Sequence, residues 1–166
     1  MSVNVRRATA ADIASMLDLQ AQSPTAAHWT EQQYRQLFQN TGEGMERFFI
    51  VAESFRPAAE FSQTSSGTAS VPQGFLVARH IAPEWELENI AVTPSARRKG
   101  IGKCLLDALL KQAQETNSDA VFLEVRASNV AARHFYEKAG FQAIGLRTSY
   151  YTNPTEDAVL YRHRLA

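Results

Sequence analysis

The sequence predicts a single domain of the mixed α/β (α+β) class, with a central sheet of about seven strands flanked by about four helices. One observation is the stretch 85–126, where an apolar strand, a helical stripe and a second apolar strand follow one another. Strands joined through a helix in this way run parallel, with a right-handed crossover. Another is that short β-type runs and short amphipathic helices share the rest of the chain, giving the order β-α-α-β-β-β-α-β-α-β-β without internal repeat. Size agrees with both. At 166 residues, 45% apolar and 20% charged, the whole chain 1–166 fits one domain with a substantial core.

In order, Val3 to Arg7 alternates like a short strand. Thr9 is placed to cap a helix carrying Ile13, Met16 and Leu17, which Pro24 interrupts. Thr30 and Gln33 make a capping box ahead of Tyr34, Leu37 and Phe38, a second short helix. The link between the two ends in His28 and Trp29. An aromatic there reads first as a packing anchor, although loops are also where binding residues concentrate. Phe48 to Ala52 is a buried strand and Gly74 to Arg79 its return, while residues 55–72 read as a surface loop insertion between them.

Trp85 to Val92 is the next strand. Ile101, Cys104, Leu105, Ala108, Leu109 and Ala113 then form a helical stripe, which makes Cys104 a core residue rather than a nucleophile. In the strand Ala120 to Arg126, Val121, Leu123 and Val125 share one face and Phe122, Glu124 and Arg126 the other. Ser128 is placed to cap a helix through Phe135, Tyr136 and Ala139, stopped by Gly140. Phe141 to Tyr151 and Ala158 to His163 close the chain as strands.

The most informative stretch is Asn89 to Lys103, where a strand ends, Pro94 opens a turn, and Arg97-Arg98-Lys99 precedes Gly100-Ile101-Gly102 and a helix. The basic run supplies charge for a polyanion. The glycines let backbone N–H groups approach it, and a helix N-terminus directs its positive end to the same place. The third glycine of a dinucleotide fingerprint is absent, and Lys103-Cys104 is not the Lys-Ser/Thr of a Walker loop.

Lys+Arg and Asp+Glu both count 17, so no basic field invites direct nucleic-acid contact, and a local basic loop suits a small anionic ligand better. The single cysteine fits a reducing compartment. Residues 1–22 carry Arg6, Arg7, Asp12 and Asp18 without the apolar run of a signal peptide, and no stretch approaches a membrane span of roughly 20 residues. The expectation is a cytoplasmic protein with no membrane partner.

The pattern Arg97-x-x-Gly100-x-Gly102 resembles the acyl-coenzyme A pyrophosphate loop of the GNAT N-acetyltransferases. With Glu86 to Val92, Leu123 to Asn129, Phe135 to Phe141 and Arg147 to Tyr151 in sequence, residues 84–163 resemble the RimI-type subgroup, the ribosomal-protein N-terminal alanine acetyltransferases. The element order is the GNAT order. The resemblance implies acetyl-CoA as cosubstrate and no metal. Ile90, Ala91 and Val92 would pair with its pantetheine amides; Arg97, Arg98, Lys99, Gly100, Ile101, Gly102 and Lys103 would hold its pyrophosphate; and Asn129 would contact it from the next helix. By itself Asn129 reads as a helix-start residue. His28, where the subgroup tends to have proline, and Glu88, at a position more often apolar, depart from the pattern at the acceptor's entrance.

Acetylating an amine requires a base, because an α-amino group of pKa roughly 7.7–8.0 arrives largely as ammonium, and an acid for the departing thiolate. The resemblance implies Glu124 as base, directly or through water, and Tyr136 as acid. On spacing alone Glu124 is equally a carboxylate paired with Arg126 or another arginine, and Tyr136 a packing residue. Tyr150 and Tyr151 resemble the paired tyrosines that wall the peptide slot, and Trp29 the subgroup's aromatic entry to its second helix; the resemblance implies all three as substrate-binding residues. The implied acceptor is a protein N-terminus, such as that of a ribosomal protein; a small-molecule amine, a lysine side chain, or a silent acyl-CoA-binding module are the alternatives.

Overall fold

The computed structural model describes residues 3–39, 45–54 and 70–166. The period-two runs become seven strands of one sheet: β1 Val3–Arg7, β2 Glu46–Ser54, β3 Pro72–Ile81, β4 Glu84–Val92, β5 Ala120–Arg126, β6 Gln142–Tyr151 and β7 Glu156–Arg164. Their spatial order is β1-β2-β3-β4-β5-β7-β6. All neighbouring pairs are antiparallel except β4 and β5, which are parallel, as a strand–helix–strand connection requires. The helices are α1 Ile13–Ala21, α2 Glu31–Gln39, α3 Ile101–Glu115 and α4 Val130–Lys138. The expected loop insertion lies, as far as residue 69, outside the described residues, and Pro72 already belongs to β3.

Three local expectations are corrected. Thr9 caps a short 3-10 turn, Ala10–Asp12, before α1 begins. Asp12 draws that turn tight because its carboxylate accepts from the Thr9 N–H at 2.8 Å and from Arg6 at 2.9 Å. Ser128 stands one residue outside α4, its N–H held by Glu156, and Asn129 is the cap, its Oδ1 accepting from the Ala132 N–H at 3.2 Å. Cys104 is only half-buried while Leu106 is fully buried. At about 100° per residue Cys104 lies on one margin of the stripe, and the helix is rolled toward the other.

The sheet has a core on each face. One joins Leu76, Trp85, Leu87, Val121, Leu123 and Val125 to Leu105 and Leu109 of α3 and Tyr136 of α4. The other joins Phe49, Val51, Phe75, Val77 and Ala91 to Ile13, Met16 and Leu19 of α1 and Tyr34 of α2. Trp85 and Leu87 point to the α3 side, yet Ile90 and Val92 point there too, so β4 skips a residue. The register locates the skip: Val77 opposes Asn89 and Ala78 opposes Leu87, leaving Glu88 bulged between them.

Gly74 permits the close approach of α3 to β3. A Cβ there would stand 3.0 Å from both the Ala91 carbonyl oxygen and Ile101 Cγ2. Gly74→Val therefore overpacks the junction beneath the Gly100–Lys103 loop, and a loss of about 1–3 kcal/mol in denaturant unfolding is expected.

Candidate active site

The parallel pairing of β4 with β5 ends at Leu87 and Leu123. Beyond it the strands part, and Glu88 to Val92 has no ladder partner on its β5 side among the described residues, although β3 still pairs its other side as far as Val92. An open strand edge thus runs to the end of β4, presenting the Ile90 and Ala91 backbone groups. The Val92 carbonyl is taken by Arg97 Nε at 3.1 Å.

That edge leads into the glycine loop. Arg98 and Gly100 both adopt positive φ, 59° and 83°, which turns the chain into α3. The first helical amide with a backbone acceptor is Cys104, bonded to Gly100 O at 2.9 Å. Among the described residues the N–H groups of Arg98, Lys99, Gly100, Ile101, Gly102 and Lys103 have none, as the start of a helix dictates. These amides and the exposed Arg98 and Lys99 form an anion cradle at the positive end of a 15-residue helix. The Gly102 Cα lies beside Phe135 of α4 and Val92, so strand end, loop and α4 converge.

Three expected cofactor contacts are otherwise engaged. Lys103 pairs with Asp107 one turn along the helix. Asn129 Oδ1 is spent on its cap, leaving Nδ2. Arg97 turns away from the cradle, its Nη2 donating to the Gln22 carbonyl at 3.3 Å and to Ser23 Oγ at 3.2 Å. It ties the start of the α1–α2 loop to the end of β4.

A second tie lies deeper. Asn89, buried, donates to the Ala27 carbonyl at 3.0 Å and accepts from the Ala27 N–H at 3.3 Å. Gln20 accepts from the Tyr34 hydroxyl at 2.8 Å and from the Trp29 N–H at 3.2 Å, and donates to the Trp29 carbonyl. Burial raises the Tyr34 phenol pKa well above its ordinary value, so it remains a donor. Trp29 packs edge-on against Tyr34 with centroids 5.4 Å apart, which makes it an anchor of this loop. The sequence did not mark Asn89, Gln20 and Tyr34 as a polar cluster; a lone asparagine among the glutamates and apolar residues of β4 was their one signal.

Across the gap, Glu124 faces the α1–α2 side of the sheet, opposite the packed Leu123 and Val125. Its side chain is 14% exposed and pairs with Arg147 Nε of β6 at 2.8 Å. The carboxylate raises the pKa of the neighbouring Tyr150 phenol, and desolvation followed by the same charge pushes Tyr151 up to about 12. Arg126 lies over the Tyr151 ring at 4.2 Å and pairs with Glu156 at 3.4 Å, so it is not the Glu124 partner. On the β4 wall, Arg79 binds Glu86 at 2.8 Å, while Glu88 bridges Arg47 at 3.2 Å and Arg79 at 3.7 Å. Desolvation at the bulge raises the Glu88 pKa despite these arginines.

Tyr136 approaches from the other face. It is buried against Phe135, Phe141 and Tyr161, and desolvation, with a smaller contribution from Tyr151, raises its pKa well above the usual phenol value. The Glu124 charge thus helps raise the Tyr151 pKa, and Tyr151 in turn contributes to that of Tyr136. A separate cavity of about 540 Å³ sits toward the other end of β5, lined by Glu84, Phe122, Arg162 and the C-terminal residues, away from all of these groups.

An open strand edge therefore runs into the unpaired amides of a helix start, with a carboxylate and tyrosines across the parting. Residues 13–141 match the acetyltransferase (GNAT) family, and the chain belongs to it. It is 36% identical over 102 residues to the ribosomal protein bS18-alanine N-acetyltransferase of Escherichia coli K12, covering 60% of this chain and 67% of that protein. The crystal structure of the Escherichia coli ribosomal-protein-S18-alanine N-acetyltransferase superposes with a TM-score of 0.74 at 25% identity, covering 99% of this chain and 95% of that one. Ard1 from Thermoplasma volcanium gives a TM-score of 0.80 at 26% identity over 100% and 99% of the two chains.

Asn89→Ala is expected to cost about 1–3 kcal/mol, because the Ala27 amide and carbonyl lose their partner. Limited proteolysis should then cut between residues 22 and 29 much faster than in the wild type.

Proposed function

We propose that the protein transfers the acetyl group of acetyl-CoA to the N-terminal α-amine of a protein, with a ribosomal protein beginning with alanine as the acceptor suggested by its relatives. The carrying observation is the parting of β4 and β5, with the amide cradle at one end and Glu124, Tyr150 and Tyr151 across it. The residues fit the donor: the open edge at Ile90 and Ala91 suits an amide-bearing arm, and Arg98 to Lys103 suits a pyrophosphate. When bound, acetyl-CoA supplies an activated acetyl group on a thiol leaving group. Asn129 Nδ2 is the group on α4 left to meet it.

The protein's own residues handle protons and position. Glu124 takes the proton of the incoming ammonium, directly or through a water, as the amine nitrogen forms its bond to the acetyl carbon. Tyr136 gives its phenol proton to the sulfur as the carbon–sulfur bond breaks, and the second proton that the nitrogen sheds on becoming an amide restores the phenol. Burial keeps that phenol protonated, so a proton is in place when the sulfur leaves. Tyr150 and Tyr151 wall the acceptor slot on the β6 side; Glu86 and Arg79 line the β4 side.

A thiol-release assay over peptides differing in the first residue, free amines and lysine-bearing peptides tests the reading. Turnover confined to peptides with particular first residues supports it; turnover of free amines or lysine alone, or acetyl-CoA binding without turnover, overturns it. Tyr136→Phe should lower kcat by roughly 10²–10⁴-fold with acetyl-CoA affinity nearly intact, and unchanged kcat removes Tyr136 from the chemistry.

A further inference from the structure

Arg147 has no role in the scheme above, yet it occupies the carboxylate on which that scheme depends. Its Nε lies 2.8 Å from Glu124 Oε1. Three other arginines share this face, and each is committed elsewhere: Arg126 to Glu156, Arg79 to Glu86, and Arg47 to Glu88. Among the described residues Arg147 is the one cation paired with Glu124.

The two partners are unequally held. Glu124 is 14% exposed on a central strand, whereas the Arg147 side chain is 57% exposed on β6, the edge strand. Arg147 opposes Ala158, after which the β6–β7 ladder lapses until Tyr151 opposes Glu156. Its guanidinium carbon already lies 5.5 Å from the Tyr150 ring centroid, so it can leave Glu124 and remain on an aromatic face.

We propose that Arg147 is a displaceable stand-in for the acceptor's ammonium, holding the Glu124 carboxylate until the acceptor cation replaces it and thereby setting acceptor affinity by competition. The proposal rests on Glu124 being the group that receives the acceptor amine. A half-buried carboxylate is costly without a cation, and exchanging guanidinium for ammonium leaves the local charge unchanged. An ion pair with so exposed an arginine is worth at most about fivefold in an equilibrium, weak enough for the acceptor to win.

The test compares R147Q, R147K and E124Q with the wild type, using a short peptide with a free N-terminal alanine. The comparison needs only an ammonium, so a primary alkylamine serves where that peptide is not turned over. R147Q should lower the acceptor KM by about two- to fivefold, with kcat moving far less and acetyl-CoA binding retained. R147K, which restores a cation, should return KM toward wild type. A raised KM in R147Q, a fall in its kcat, or a KM in R147K as low as in R147Q overturns the competition. E124Q separates the two layers: unchanged turnover removes the reading beneath the proposal, whereas lost turnover with an unmoved R147Q KM overturns the proposal alone.

Discussion

Glu88 is one residue too many for its strand, and the architecture follows from how β4 accommodates it. The bulge sits where the parallel ladder with β5 stops, between Leu87 and Asn89. Bulges bend a strand and interrupt pairing. Here the bend opens an edge that a continuous sheet would have consumed. The skip also reverses which side chains face which core. Ile90 and Val92 pack toward α3, and Asn89 turns to the opposite side, where it holds the α1–α2 loop. One extra residue therefore creates the gap and fastens the loop beside it.

The two walls of that gap are built differently. One, proposed for the donor, uses main chain: a strand edge and the unpaired amides of a helix start, held by α3, which packs through Leu105 and Leu109 against the sheet. The other, proposed for the acceptor, uses side chains, most of them charged. Glu86 and Glu88 are interleaved with Arg79 and Arg47 on one wall, and Glu124 with Arg147 on the other. Each of these carboxylates is paired with an arginine, so none stands as an isolated charge in the cleft.

Most of the architecture was legible because periodicity reports burial. The alternation of Val121, Leu123 and Val125 and the stripe from Ile101 to Ala113 identified the parallel unit, and the glycines located the loop that joins its first strand to its helix. Even the bulge was written in the chain, since Trp85 and Leu87 are followed by Ile90 and Val92 rather than by positions 89 and 91. Local patterns could not report partners distant in sequence. Asn89 and Ala27 are 62 positions apart, and Arg97 reaches Gln22 across 75. For the same reason Arg97 read as a phosphate ligand although its guanidinium binds protein, and the partner of Glu124 stayed open between Arg126 and another arginine, which proves to be Arg147 on another strand. Capping misread by one residue at Ser128 has a related cause: Glu156, from a later strand, decides where α4 begins.

The edge strand gives the molecule an uneven tolerance to change. Every residue of β6 from Gln142 to Tyr150 is exposed, including Ile144 and Leu146, whereas the donor wall is anchored in two cores. Substitutions on an exposed strand cost little stability, so β6 can be rewritten almost freely while the packed end of β4 and start of α3 cannot. On the proposed reading, chains of this build are free to change what they acetylate long before they change what they acetylate with.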